Sequence, residues 1–302
     1  MQTRRSFLKA GGLSALPLVA PALPALAFEP KTFAPAPGDM VNFISDSLFM
    51  DPAAYISKLN EIHAAQPITP DNYGNGGAVA ALEKKFTEIT GKERAIFMPT
   101  GTMANQLAIR VLSGENAKVI VQETSHVYRD EADAAQSVHN KRLIPLAQGK
   151  AAFTLEQLQQ AVNYHKEGEV FVSGVGAVSI ENPVRRNEGQ VVPIEELRKI
   201  SAWCRQQGYK LHLDGARLHM ASAWTGIPVA EYASLFDTVY ISLYKYLGAA
   251  AGAMLCGDRA VIDKMAHLIK IYGGSMYRNW QNAAMALHFV NGIDTRLNES
   301  KL

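Results

Sequence analysis

The sequence predicts an α/β fold, and three observations carry that reading. From Ala78 onward, helical periods alternate with short β-branched or apolar runs at the spacing of an α/β sheet. Gly91 and Gly208 stand just past two of the helical stretches, where a left-handed residue ends a helix. With 302 residues the chain is long enough to bury a sizeable core without help from disulfides.

Taken in order, the chain opens MQTRRSFLKAGGLSALPLVAPALPALAFEP. Arg4 and Arg5 precede a weakly apolar run that closes on small residues, which reads as a twin-arginine signal peptide over 1–27, cleaved after Ala27. A membrane anchor fits less well, because the run is short and interrupted by Pro17, Pro21 and Pro24, whereas a spanning helix needs about 20 apolar residues. Such a leader implies the twin-arginine export machinery as a partner and a periplasmic location. That route carries folded proteins, which makes a cofactor inserted before export more plausible. Removing the leader takes away Arg4, Arg5 and Lys9 and no acid, so the formal charge of +2 becomes −1. Nothing in that balance points to nucleic acid.

Residues 28–77 are rich in Pro and Asn and read as an N-terminal arm. In AVAALEKKFTEITG the apolar positions Val79, Leu82, Phe86 and Ile89 form a helical stripe ending at Gly91. RAIFM follows as a short buried strand, and PTGTMANQLAIRVLSG as a turn entering a second helix. KVIVQE, EVFVSG, AVSIE, KLHLD and TVYISL read as further strands, with FTLEQLQQAVNYH and IEELRKISAWCRQQG as amphipathic helices between them. The large domain is expected over 78–275, and residues 276–302 as the start of a linker and small C-terminal domain that the chain does not complete. Cys204 and Cys256 lack zinc-site spacing and are expected as buried free thiols; no metal site is expected.

Three stretches can carry chemistry. In YISLYKYLGAAAGAML, Lys245 sits among apolar, aromatic and very small residues. Either its stem packs while the ammonium snorkels to water, or burial keeps the amine neutral so that it can attack a carbonyl. In KLHLDGARLH, Asp214 falls where a strand ends and Arg217 follows the turn. This is the place where ligands collect in open α/β sheets, although helix capping by Asp214 accounts for the pattern equally well. In FMPTGTMANQ, Thr100, Gly101 and Thr102 precede a helix, forming either a phosphate cradle or an ordinary cap. There is no P-loop and no dinucleotide fingerprint. A lysine for an aldehyde, an acid for a pyridine nitrogen and a cradle for a phosphate together suggest pyridoxal phosphate.

Across roughly Asn42 to Asp294 the chain resembles the threonine aldolase and β-eliminating lyase family. The likeness is carried by DNYGNGGAVAALEKKF, FMPTGTMANQ, ETSHVYRDE, IENPVRRNEGQVVPIEEL, HLDGARLH and SLYKYLGAAAGAML. It implies a fold-type-I large domain with a mainly parallel sheet flanked by helices, and a homodimer or homotetramer. It implies that His126 stacks on the pyridine ring, that His126 or a water it positions is the candidate base, and that Thr100, Gly101 and Thr102 hold the phosphate with help from Ser242. Asp214 would pair with the ring nitrogen, Arg217 would reach the phenolic oxygen or the substrate carboxylate, and Lys245 would take the aldehyde. Ser45 and Tyr73 match substrate-pocket positions, or pack. The implied activity is cleavage of a threonine-like β-hydroxy-α-amino acid to glycine and an aldehyde, with β-elimination or a non-catalytic role as the alternatives. The chain departs from the family where Tyr244 and Tyr246 flank Lys245, where Ala250 replaces a common proline, and where GGSMYRNWQ displaces Arg278 by one residue.

Overall fold

The computed structural model describes Leu48 and residues 50–301; the leader, Ser45 and much of the arm lie outside these. The described residues belong to one compact unit. The described part of the arm contains a helix, α1 (Pro52–Ala65), capped by Asp51, whose carboxylate accepts from the Ala54 amide at 2.8 Å. No residue of α1 is fully buried, but Tyr55, Leu59 and Ile62 recur at helical spacing and are half-buried, Leu59 packing against the core.

The stripe from Val79 to Phe86 forms α2 (Gly77–Thr90), and Gly91 ends it with a left-handed φ of 67°. Strand β1 (Arg94–Met98) leads into α3 (Gly101–Ser113), then β2 (Lys118–Gln122), β3 (Arg142–Leu146), α4 (Leu155–Glu167) and β4 (Val175–Glu181). These are followed by α5 (Ile194–Gln207), β5 (Lys210–Asp214), α6 (Leu218–Thr225), β6 (Thr238–Ser242) and β7 (Ala253–Gly257). Helices α7 (Trp280–Val290) and α8 (Ile293–Glu299) close the described chain, α7 packing on α2 and α8 on α6.

The seven strands form one sheet in the order β1-β7-β6-β5-β4-β2-β3. Pairs β2–β3, β2–β4, β4–β5 and β5–β6 are parallel, whereas β7 runs antiparallel to both its neighbours. Strands β2, β6 and β7 are buried at every position, as expected of a sheet covered by helices on both faces.

Two strand assignments differ from the sequence reading. EVFVSG is not a strand: Val170 and Phe171 are each 91 % exposed, and β4 begins only at Val175. Alternation alone cannot tell an exposed apolar loop from a half-buried strand. Conversely, β3 was not expected, since Pro145 interrupts it; it occupies the sheet edge, where a missing N–H is tolerated. Both cysteines are buried free thiols, their pKa values pushed up to about 12 chiefly by burial. No helix among the described residues is long and apolar enough to cross a membrane.

Candidate active site

Each parallel strand delivers its last residue to the same edge of the sheet, and the chemistry gathers there. Strand β5 ends on Asp214, β4 on Glu181 and β6 on Ser242, and the turn after β2 carries His126. Together with the start of α3 they frame a cleft of about 280 Å³ whose wall includes Thr100, Gly101, Thr102, His126, Asp214, Arg217 and Lys245. Seven residues expected from separate stretches of sequence thus meet in one space.

Lys245 is only 7 % exposed yet lines the cleft, its Nζ 4.9 Å from the centre of the Tyr244 ring. The stem is therefore buried and the amine faces an internal hollow rather than open surface. Asp214 is buried, and its Oδ1 accepts from the Ala216 amide at 3.1 Å, so this carboxylate braces its own turn as well as lining the cleft. Thr100 does cap α3, accepting from the Met103 amide at 3.1 Å, so the capping and lining roles coincide at one residue. Gly101 is required there: a Cβ would lie 2.1 Å from the Tyr240 hydroxyl oxygen.

The remaining expected residues are placed differently. Ser242 is buried and is not among the residues that line the cleft; its hydroxyl lies beside that of Tyr240. Tyr73 is 52 % exposed, with a left-handed φ of 50° and its ring edge-on to Tyr277. It lines a separate hollow that shares Pro99 with the cleft.

Four further residues complete the site and were not assigned from sequence. Glu131 Oε1 lies 2.9 Å from His126 Nδ1. The Glu181 carboxylate accepts from the backbone amides of His126 (2.7 Å) and Arg185 (3.0 Å). Asn105 Nδ2 donates to Glu131 Oε1 at 2.7 Å and to Asp214 Oδ2 at 2.9 Å, and its Oδ1 lies 2.9 Å from His212 Nε2. The only sequence signals were an acid five residues after His126, an acid ending AVSIE, an asparagine one turn into a helix and a polar residue alternating with leucines.

Three carboxylates around one histidine set the electrostatics. Donating a hydrogen bond to Glu131 raises the His126 pKa, burial opposes it, and the charges of Asp214 and Glu181 add to the rise. Burial, then the Asp214 charge, pushes Glu181 up to about 7. Nδ1 of His126 is committed to Glu131, which leaves Nε2 as the ring atom free to exchange a proton.

A mainly parallel sheet with a buried lysine and aspartate converging at its carboxyl edge defines the fold-type-I class. Residues 42–301 match the beta-eliminating lyase family, and the chain belongs to it. A low-specificity L-threonine aldolase of Candida albicans is 37 % identical over 73 % of this chain and 58 % of its own length. One from Escherichia coli K12 is 29 % identical over 86 % of this chain and 75 % of its own. A crystal structure from Listeria monocytogenes EGD-E, assigned as an L-allo-threonine aldolase, superposes with a TM-score of 0.72 at 31 % identity, covering 81 % of this chain and 66 % of that one. A Leishmania major threonine aldolase at 23 % identity and a TM-score of 0.73, covering 85 % of this chain and 75 % of that one, shares the fold. The chain spans little more than half the length of the yeast relatives it matches, 58 % and 56 %.

Proposed function

We propose that the protein is a pyridoxal-phosphate-dependent lyase that cleaves β-hydroxy-α-amino acids of the threonine type to glycine and an aldehyde. The observation that carries this reading is the convergence of Lys245, Asp214 and His126 on one cleft. The residues present fit the cofactor. A buried carboxylate suits a protonated ring nitrogen, the α3 N-terminus with Thr100 and Thr102 suits a phosphate, and Lys245 supplies the amine for the aldehyde. The buried Ser242 hydroxyl, at the end of β6, offers a further donor near that end of the sheet. When bound, the cofactor supplies an electron sink for bond cleavage at the substrate α-carbon.

The chain's own groups do the rest. Asp214, which accepts hydrogen bonds from the Asn105 side-chain amide and the Ala216 amide, would face the ring-nitrogen proton. Arg217 offers its guanidinium to a carboxylate or phenolic oxygen. His126, oriented by Glu131 through Nδ1, takes the β-hydroxyl proton at Nε2. The names of the relatives favour aldol cleavage over β-elimination. The leader supports export through the twin-arginine route to the periplasm, and the family supports a homodimer or larger assembly, which light scattering checks.

The test is an absorbance spectrum of the purified protein with pyridoxal phosphate, followed by borohydride reduction, peptide mapping and product analysis with threonine. A visible band that reduction fixes on the Lys245 peptide, with glycine and acetaldehyde as products, is expected. Ammonia and an α-keto acid would move the assignment to β-elimination; no band on any peptide would remove the cofactor from the reading.

A further inference from the structure

Behind the cleft wall lies a buried array that neither capping nor packing explains. His212 and Asp214 are two residues apart on β5, so their side chains leave the same face of the sheet. Both meet Asn105, which is fully buried on α3. Thr238, the residue opposite His212 in the parallel ladder to β6, places its Oγ1 2.8 Å from His212 Nδ1. The array therefore runs from Thr238 through His212 to Asn105, and forks there to Asp214 and Glu131.

The direction of every hydrogen in it follows from the acceptors at the fork. Two carboxylate oxygens face one atom of the Asn105 amide, and only the NH2 group can satisfy both. The amide oxygen then faces His212, so Nε2 of that ring must carry a proton. Burial drives His212 down to about 4, against the Asp214 charge and a backbone contact with Thr238, so the ring is neutral; with its one proton on Nε2, Nδ1 accepts from the Thr238 hydroxyl 2.8 Å away.

We propose that Asn105 is a positioning residue that holds Asp214 and the Glu131–His126 pair in one directed array, with His212 and Thr238 fixing its amide the right way round. Glu131 and Asp214 have carboxylate oxygens within 4.8 Å of each other, and the Asn105 NH2 group is the donor that both accept from. Without that donor Asp214 would lose one of the hydrogen bonds that aim it at a ring nitrogen, and Glu131 would lose the one that steadies it against His126. The cofactor consequence rests on the function proposed above; the hydrogen-bond directions do not.

The test uses the full chain, first without cofactor. Histidine ring 15N NMR is expected to find His212 neutral and protonated on Nε2. Asn105→Leu removes both donors at similar volume. Glu131 is then held less firmly against Nδ1, and the titration midpoint of His126, which faces Glu131, Asp214, Glu181 and Asp130, is expected to fall. A merely structural role for Asn105 would leave that midpoint in place. Pyridoxal phosphate affinity, read by absorbance titration, is expected to weaken about tenfold or more, the size of a lost hydrogen bond to a charged group. Should Asn105→Leu not fold, Thr238→Val keeps the shape, removes only the outermost donor, and is expected to lower the same midpoint by less. A His212 ring protonated on Nδ1, or an unchanged His126 midpoint in the folded variant, overturns the proposal. Unaltered protein that binds no pyridoxal phosphate while showing the expected ring states would instead sink the cofactor reading and leave the array standing.

Discussion

At the scale of single residues, His126 makes the sharpest claim. Its pKa is raised above the usual 6.5 by Glu131 first, then by the charges of Asp214 and Glu181. A raised pKa keeps the ring protonated to higher pH, and a base must be neutral to accept a proton. Cleavage of threonine, followed as kcat/KM, is therefore expected to rise with pH through a midpoint above 6.5. Glu131→Gln removes the anion and should draw that midpoint down. His126→Ala should abolish the limb and cost about 10²–10⁴-fold in kcat/KM. Gly101 makes a steric claim instead. Gly101→Ala sets a Cβ against the buried Tyr240 hydroxyl, so a denaturant melt is expected to show roughly 1–3 kcal/mol of destabilisation together with weaker cofactor binding.

At the scale of elements, caps and interfaces decide. Helix α4 begins with a full capping box: Thr154 accepts from the Gln157 amide, and the Gln157 side chain accepts from the Thr154 amide. Thr154→Ala should cost about 1 kcal/mol in a urea melt and leave turnover untouched. Where α8 packs on α6, His219 is buried with both ring nitrogens lacking a hydrogen-bond partner among the described residues, and burial drives its pKa down to about 4. In this window the unfolded chain binds the proton and the folded chain does not, so the ring's contribution is fully retained above 6.5 and is lost as pH falls towards 4. His219→Phe removes the penalty. Its melting temperature is expected to exceed that of the parent by more at pH 5 than at pH 8; equal differences at the two pH values would contradict the assignment.

For the whole molecule, a ligand that binds only the folded state stabilises it by mass action. Pyridoxal phosphate at about 100 times its Kd should add about 2.7 kcal/mol, visible as a rise of several degrees in the melting temperature. Lys245→Ala loses the bond to the aldehyde but keeps the phosphate cradle and Asp214, so a smaller rise is expected from it. Both measurements report on the sheet edge as a unit, because the cleft draws on the ends of β1, β4, β5 and β6 and on the turn after β2.

What the sequence determined by itself is the part written in local periods and single marked positions. The stripe of α2 with Gly91 at its end, the strand ending on Asp214, the turn at Thr100 to Thr102 and the lysine among small residues could all be read directly. Each is governed by neighbours within one helical turn or one pleat. Local pattern failed where burial decided: EVFVSG has the composition of a strand and lies exposed, and the edge strand carrying Pro145 has a composition that hides it. The tertiary structure alone decided how the site is braced. Asn105 reaches Glu131 across 26 residues and Asp214 across 109, and no period in the chain encodes either distance. Hydrogen-bond partners of buried polar groups are chosen by where the sheet folds back on itself, so the residues that tune Asp214 and His126 became visible only in three dimensions.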